Sequence, residues 1–403
     1  VSDFAPQQEA GFWAMRLMDL PLFVMLAVFI LVVSLRFRPP PAVQLMLYLH
    51  AALPFFLNGL LFPVSYMPDQ LKYLSAFYEI RTGALSVWEV ILHGGNVDRA
   101  SLLFAAMPLP FALTPNSLGF YNGFIWTALF LWLYRKGVFT HLSMWFYLLY
   151  PSMALYSSLS LRDTFVFAFM IMAAQWAREG RWVIMLVPLV LLYAIKFQNF
   201  YILAPVLFLF LAFGIRHKGL SISRGAATLV TGVAALVALS PIALPLINYF
   251  RRAMYVEDGG DADQVQMIEG PVQFVLEGMT SGIYFLMKPF PWDASNLLQI
   301  IQSFENLAIA GLLVLLARAA WNRAPRMLIF WTLFLIFAAS IYGLVVFNYG
   351  TAARYRFPFL TFFVIFVCAD CRAHSLFKNM VPPAFQAAYL KRRNAPTTTP
   401  QSP

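Results

Sequence analysis

Apolar stretches of bilayer-crossing length follow one another along this chain, and charged residues are confined largely to the gaps between them. Leu20 to Leu35 carries no charge before Arg36, and runs like it recur as far as Ala369. About 20 predominantly apolar residues make a transmembrane helix. A soluble domain carries about 25% charged residues; here 11% are charged and 61% hydrophobic, which excludes a soluble fold. At that span length, 403 residues accommodate about ten to twelve crossings.

The expected fold is all-α, a polytopic transmembrane helical bundle of about 11 spans with two structured outer loops. The spans read as Leu20–Phe37, Ala42–Phe62, Leu118–Tyr134, Phe139–Leu159, Thr164–Trp176, Trp182–Ile195, Phe200–Ile215, Ala226–Phe250, Leu307–Ala317, Met327–Phe347 and Phe357–Ala369. Residues 1–19 suit a short interfacial helix, with no cleavable signal peptide evident. Pro39-Pro40-Pro41 forbids continuation of the first span, and His50 and Pro54 interrupt the second. Ser101–Thr114 is short and holds Pro108 and Pro110, as a re-entrant or interfacial segment does. Residues 1–375 form one transmembrane domain, with outer loop 1 at 64–117 and outer loop 2 at 251–305. Residues 376–403, with Lys391-Arg392-Arg393 and a Thr/Pro-rich end, read as a disordered cytoplasmic tail.

Basic residues fix the orientation. Placing Arg36/Arg38, Arg135/Lys136, Arg178/Arg181, Arg216/Lys218/Arg224, Arg318/Arg323/Arg326 and the tail inside puts 17 of the 28 basic residues there, with only Glu179 and Asp370 among the acids. That is the positive-inside pattern, with an outside N-terminus. It also accounts for the net charge of +10, which in a soluble protein would point to nucleic acid. Nucleic acid is not an expected partner here. The charges left over, Asp69, Arg81, Arg162, Asp163, Lys196, Arg251, Arg252, Lys288, Arg354 and Arg356, all fall on the outer face.

Four of these mark a candidate anion site. An arginine at a helix centre in the bilayer costs roughly 2.5–3.5 kcal/mol, and less near an end. Arg162 with Asp163 is either a local ion pair at the headgroups or a phosphate fork oriented by its acid. Ser157, Ser158 and Ser160 add hydroxyls beside it. Lys196-Phe197-Gln198-Asn199 splits a long apolar stretch in two; it is a plain hairpin turn, or a cation and two amides suited to phosphate and sugar hydroxyls. Arg354-Tyr355-Arg356 lies before the last span, either anchoring headgroups or clamping a diphosphate beside a stacked sugar. Asp69, with Glu79 in reserve, is a candidate general base for an acceptor hydroxyl, or simply a solvated loop acid. Lys288-Pro289-Phe290-Pro291-Trp292-Asp293 is a lid, a sugar platform or an interfacial anchor.

No GxxxxGK[ST] and no dinucleotide fingerprint is present, and the five histidines form no zinc pattern. Glu257 to Asp263 lacks the twelfth-position Glu of a calcium loop. Cys368 and Cys371 read as buried thiols. The expectation is therefore no cofactor and no metal.

At Asp69-Gln70-Leu71-Lys72-Tyr73, Tyr156-Ser157-Ser158 with Leu161-Arg162-Asp163, Lys288 to Trp292, and Ala353-Arg354-Tyr355-Arg356-Phe357-Pro358, the chain resembles bacterial glycan-assembly proteins. These are the Wzy-type and EpsG-like polymerases of lipid-linked repeat units, within the GT-C-like membrane glycosyltransferases. It departs from the Wzy type in having only Arg251/Arg252 near the second loop. The resemblance implies a multi-pass protein of the bacterial inner membrane. Its substrate would be a polyprenyl diphosphate-linked oligosaccharide at the periplasmic face, its surroundings the lipid bilayer, and its further partners other polysaccharide-assembly proteins. It implies Arg162, Arg354 and Arg356 on the diphosphate with Lys196 in support, and Asp69 as base. Asp163, Gln198, Asn199, Tyr355, Arg81, Lys288 and Trp292 complete the expected substrate site. Alternatives are a single-sugar transferase or ligase using a polyprenyl phosphate donor, and a lipid-linked glycan transporter without chemistry.

Overall fold

The structure, a computed structural model, describes residues 5–63, 67–110, 112–215, 222–257 and 259–370. The expected tail lies outside them. Every extended element among the described residues is a helix: α1 (Ala5–Phe37), α2 (Pro41–Ala52), α3 (Pro54–Leu57), α4 (Asp69–Arg81), α5 (Val87–His93), α6 (Asn96–Ala106), α7 (Ser117–Arg135), α8 (His141–Leu149), α9 (Pro151–Ser157), α10 (Asp163–Glu179), α11 (Trp182–Ala212), α12 (Ile222–Glu257), α13 (Pro271–Met287), α14 (Leu297–Trp321), α15 (Pro325–Val345) and α16 (Tyr349–Asp370). Five segments are long and apolar enough to cross a membrane by length and composition: Trp13–Phe37, Trp182–Ala212, Leu297–Trp321, Pro325–Val345 and Tyr349–Asp370. Leu17, Val24, Leu31 and Leu35 on α1 and Val314 and Leu315 on α14 are exposed, as lipid-facing side chains are.

Several expected boundaries move, for local reasons. The interfacial stretch and first span are one helix, α1. The expected span Phe139–Leu159 is two short helices, because Pro151 lacks an N–H and the preceding Tyr150 takes an extended backbone (ψ 111°). The second span likewise breaks at Pro54. Outer loop 2 contains the whole of α13. Its Gly282 approaches Ser340 of α15, and a Cβ on Gly343 of α15 would sit 2.3 Å from the Ser281 carbonyl oxygen. These two helices therefore touch backbone to backbone, which only glycine permits.

Side-chain pairs give the helix directions. Asp163, at the start of α10, pairs with Arg354 near the start of α16 at 2.6 Å. Arg178, at the end of α10, pairs with Asp370 at the end of α16. The two helices therefore run parallel, tied at both ends across roughly 22 Å at 1.5 Å per residue. Asp19 of α1 meets Ser117 of α7, and Phe29 meets Phe124, so this pair is parallel too. One end of the bundle, the first pole, gathers Asp163, Arg354 and the start of α7, whose Gly119 N–H donates to Ser160. The second pole holds Arg178, Asp370, and Glu179 gripped by Lys136 and Arg181.

A Schellman-type stop ends α10: Gly180 is left-handed (φ 76°), its N–H reaches Ala177, and Arg181 N–H reaches Trp176. The chain then returns as α11. Lys196 has non-helical angles (φ −155°, ψ 74°). Beyond it Phe210 stacks on Trp331, whose indole N–H donates to Asp370. Residue 210 is thus back at the second pole, where α11 began. A straight helix would carry it roughly 40 Å away. The chain therefore turns back at Lys196, where the sequence expects a turn, so Trp182–Ala212 is long and apolar enough to cross by length and composition but does not run as one straight rod.

The central helix is α16. Its apolar window is 94% buried, against 22–50% for the other four long helices. A helix apolar all round belongs inside, and Phe362 and Phe366 pack around Trp331 there.

Candidate functional site

The segment from Tyr156 to Asp163 links α9 to α10 at the first pole, and most of it is buried. Neighbours hold it from several sides. Tyr156 donates to the Gly350 carbonyl at 2.8 Å, and Ser157 meets His50 Nε2 at 2.9 Å. His50 lies flat on Trp126 at 3.6 Å. Asn122 donates to the carbonyls of both Leu159 and Leu161 at 2.7 Å. Gln70 accepts from Ser160 N–H at 3.2 Å and forms a reciprocal amide pair with Asn58, which also donates to Asn116. These side-chain bonds to its backbone and hydroxyls hold the segment to a single path, while Asn116 Nδ2 and Asn122 Oδ1 have no partner among the described residues. The serines expected to offer hydroxyls to a ligand are thus engaged in the protein: Ser157 with His50 and Ser160 with Pro115. Ser158 Oγ alone of the three has no partner among the described residues.

This segment delivers Arg162 and Asp163 to Arg354. The Arg354 guanidinium donates through Nε to Asp163 at 2.6 Å and through Nη1 to Asp69 at 3.1 Å. Arg354 and Asp163 are buried, with side-chain exposures of 8% and 5%, while Asp69 is one-third exposed. Lys72 meets Asp69 from the solvent side at 3.1 Å. Burial alone would push the Asp69 carboxyl up, but Arg354 and Lys72 outweigh it and hold it below the usual carboxylate range. Asp69 is therefore ionised at neutral pH. Tyr73, one turn on, is buried, and burial pushes its phenol up to about 12, so it stays neutral.

Lys196 completes the group. It is buried, and its Nζ lies 3.8 Å from the centre of the Tyr355 ring, a cation–π contact. No carboxylate pairs with it among the described residues. Arg162, Asp163 and Arg354 are all close enough to act electrostatically on Lys196 and Tyr355. Arg162 has two buried nitrogens, Nε and Nη1, without a hydrogen-bond partner among the described residues. Unpaired buried guanidinium nitrogens are costly, and α10 starts beside them, adding the positive end of its dipole. The sequence-predicted Asp69, Arg162, Asp163, Lys196, Arg354 and Tyr355 thus come together at one place.

Other predicted residues do not join them. Arg356 is fully buried, but its Nη1 donates to the carbonyls of Phe285, Leu286 and Lys288, and its Nη2 to Asn306 at 2.6 Å. It satisfies the open carbonyls at the end of α13, which leaves little of it for a diphosphate. Arg81 donates to the Met107 and Leu109 carbonyls and lies over Phe77, so it braces residues 107–109. Glu79 is exposed and accepts from Ser75; about 15 Å of helix separates it from Asp69. Asn199 is tied to Tyr342 and Met170. Gln198 Oε1 is buried without a partner among the described residues. Lys288 sits over the Tyr284 ring and 4.0 Å from Asp293, while Trp292, 80% exposed, stacks on Phe290.

Sequence reasoning missed the amide frame of Asn58, Gln70, Asn116 and Asn122. Its signal was available, since each is a strongly polar side chain in or beside an apolar run. It also missed Asp19, which is fully buried and accepts from Thr114 and Ser117, and Glu305, which accepts from the N–H and hydroxyl of Ser152 at the start of α9. Among the described residues no three His, Cys, Asp or Glu side chains group as metal ligands would. Set beside protein-family models, curated proteins and solved structures, the chain matches none of them.

Proposed function

We propose that this chain is a membrane glycosyltransferase whose donor is a sugar linked to a polyprenyl phosphate or diphosphate. Polymerisation of oligosaccharide repeat units of a surface polysaccharide is the first form of this reading; transfer of a single sugar, or ligation of a glycan from a polyprenyl phosphate donor, is the second. One observation carries it. Among the described residues the clustered cations Arg162, Lys196 and Arg354 have only Asp69 and Asp163 as acids, so within this cluster cations outnumber carboxylates. As the glycosidic bond breaks, negative charge grows on the departing phosphate, and fixed cations in a water-poor site stabilise that charge. Asp69, ionised and one-third exposed, takes the place of the proton acceptor for the attacking hydroxyl. Glu79 is too far along α4 to share that role.

The distribution of charge supports a periplasmic site in a bacterial inner membrane. The second pole carries Lys136, Arg178 and Arg181, and the positive-inside rule turns such an end to the cytoplasm. The first pole then faces the leaflet on which lipid-linked glycans are presented. On this reading the protein's partners are that lipid-linked oligosaccharide, the bilayer and other polysaccharide-assembly proteins.

A second reading has a specific observation in its favour. The interrupted pairs α2–α3 and α8–α9 resemble the discontinuous helices that transporters use. A lipid-linked glycan transporter would bind the same phosphate and leave the glycosidic bond intact. The purified protein in proteoliposomes, supplied with a short-chain polyprenyl diphosphate oligosaccharide, separates the two. Supplied in parallel with the matching polyprenyl phosphate glycan, it should release the free polyprenyl phosphate or diphosphate and pass the glycan to an acceptor. Movement of intact lipid-linked glycan between leaflets without bond cleavage refutes transfer and leaves transport.

A further inference from the structure

Resting on the anion-site reading above, the arrangement around Arg354 says what charge the ligand carries. Arg354 uses Nε on Asp163 and Nη1 on Asp69. It is held inside the protein by two acids rather than left open for a ligand. The cations without an acid are Arg162, with Nε and Nη1 unpartnered among the described residues, and Lys196, which rests on an aromatic ring. Lys72, 61% exposed, sits in solvent at the rim and is screened there. Among the described residues of this cluster the enclosed charges are therefore three cations and two carboxylates, a surplus of one. Burying a second negative charge beyond that surplus would leave it uncompensated, and uncompensated buried charge is strongly disfavoured.

We propose that Asp69 is the residue that sets the charge selectivity of this site: while it is ionised, Arg162 and Lys196 together hold a singly charged phosphodiester, the phosphate of a lipid-phosphate sugar, in preference to a diphosphate. Asp163 cannot have this role in the same way, because it is sealed against Arg354 and carries that residue's position. Asp69 reaches the site from α4, is partly exposed, and is the one acid of the pair that neutralisation can remove without stranding a buried charge. Within the proposed function, the selection favours transfer from a polyprenyl phosphate donor over polymerisation from a diphosphate.

The test is a binding titration of the full chain in nanodiscs with two probes, a farnesyl phosphate–hexose diester with one charge and its diphosphate counterpart with two. The singly charged probe should bind the parent at least tenfold tighter. Asp69→Asn, which raises the surplus to two, should reverse the order. Arg162→Met and Lys196→Met should each weaken both probes at least tenfold, the scale of a lost charged hydrogen bond. Arg162 Nε and Nη1 have no hydrogen-bond partner among the described residues, so the Arg162→Met melting curve should match the parent's and certify the protein as folded. A parent that prefers the diphosphate, or an Asp69→Asn variant with an unchanged ratio, overturns the selectivity rule while the anion site stands. Equal binding of both probes to parent, Arg162→Met and Lys196→Met overturns the anion site itself.

Discussion

Arg354→Met should be among the most damaging single substitutions at the first pole, while Arg162→Met, one residue from Arg354's main partner, should be nearly silent for stability. The structure supplies the asymmetry. Removing Arg354 leaves Asp163, 5% exposed, without its cation. Breaking a buried pair by deleting one member costs about 3–5 kcal/mol, because the surviving charge stays desolvated. Asp69 adds little to that loss, since it is one-third exposed and keeps Lys72. Arg162 has two unpartnered buried nitrogens among the described residues, so its removal relieves a desolvated charge and should cost about 0 kcal/mol or stabilise slightly. A second change checks the cause: Asp163→Asn in the Arg354→Met background removes the stranded charge and should restore part of the loss. The assay is equilibrium unfolding in mixed micelles, followed by tryptophan fluorescence. If Arg354→Met stays within about 1 kcal/mol of the parent, or Arg162→Met costs as much as Arg354→Met, the electrostatic account of the cluster is wrong.

Three further outcomes are expected. Gly119→Ala places a Cβ 2.3 Å from the Ser158 carbonyl oxygen; it should displace the segment carrying Arg162, cost about 1–3 kcal/mol, and weaken binding of a lipid phosphate without touching it, read by the same unfolding and titration experiments. Arg356→Met leaves the Phe285 and Leu286 carbonyls and Asn306 Oδ1 short of a donor, while Lys288 keeps Asn306; it should cost at least about 3 kcal/mol at about 1–3 kcal/mol per unsatisfied buried group, while lipid-phosphate affinity in the folded fraction stays at the parent value. Asp69 is held below the usual range when folded, so the unfolded chain takes up its proton first. Its contribution is therefore present at neutral pH and lost as pH falls through the folded value, and Asp69→Asn should flatten that acid limb in stability measured from pH 6 to pH 3.

The helical membrane class is plain in the sequence because apolar runs of span length admit little else. The reversal at Lys196 is legible for a related reason: a cation and two amides interrupt a stretch that hydrocarbon would otherwise contain. What each charge does is less legible. Arg354 and Arg356 sit two residues apart and look alike as letters, yet one meets two carboxylates and the other closes a helix end. That difference depends on α13, whose residues read as loop because charged and turn-forming segments flank them on both sides. The breaks at Pro54 and Pro151 were marked by proline, but the apolar residues around them resemble an unbroken span. The amide frame around Arg162 is harder still, since matching Asn58, Gln70, Asn116 and Asn122 requires knowing which helices are neighbours.

The paired ties between α10 and α16 have a mechanical consequence. Because Asp163–Arg354 and Arg178–Asp370 lie at opposite ends of the same two parallel rods, neither rod can slide or tilt against the other without rupturing a contact at one extremity. The two behave as a fixed keel. Under the proposed function, any opening for a lipid tail falls to the elements hung around that keel, such as α4 and the two arms of α11, while the Arg354 end of the keel itself holds still.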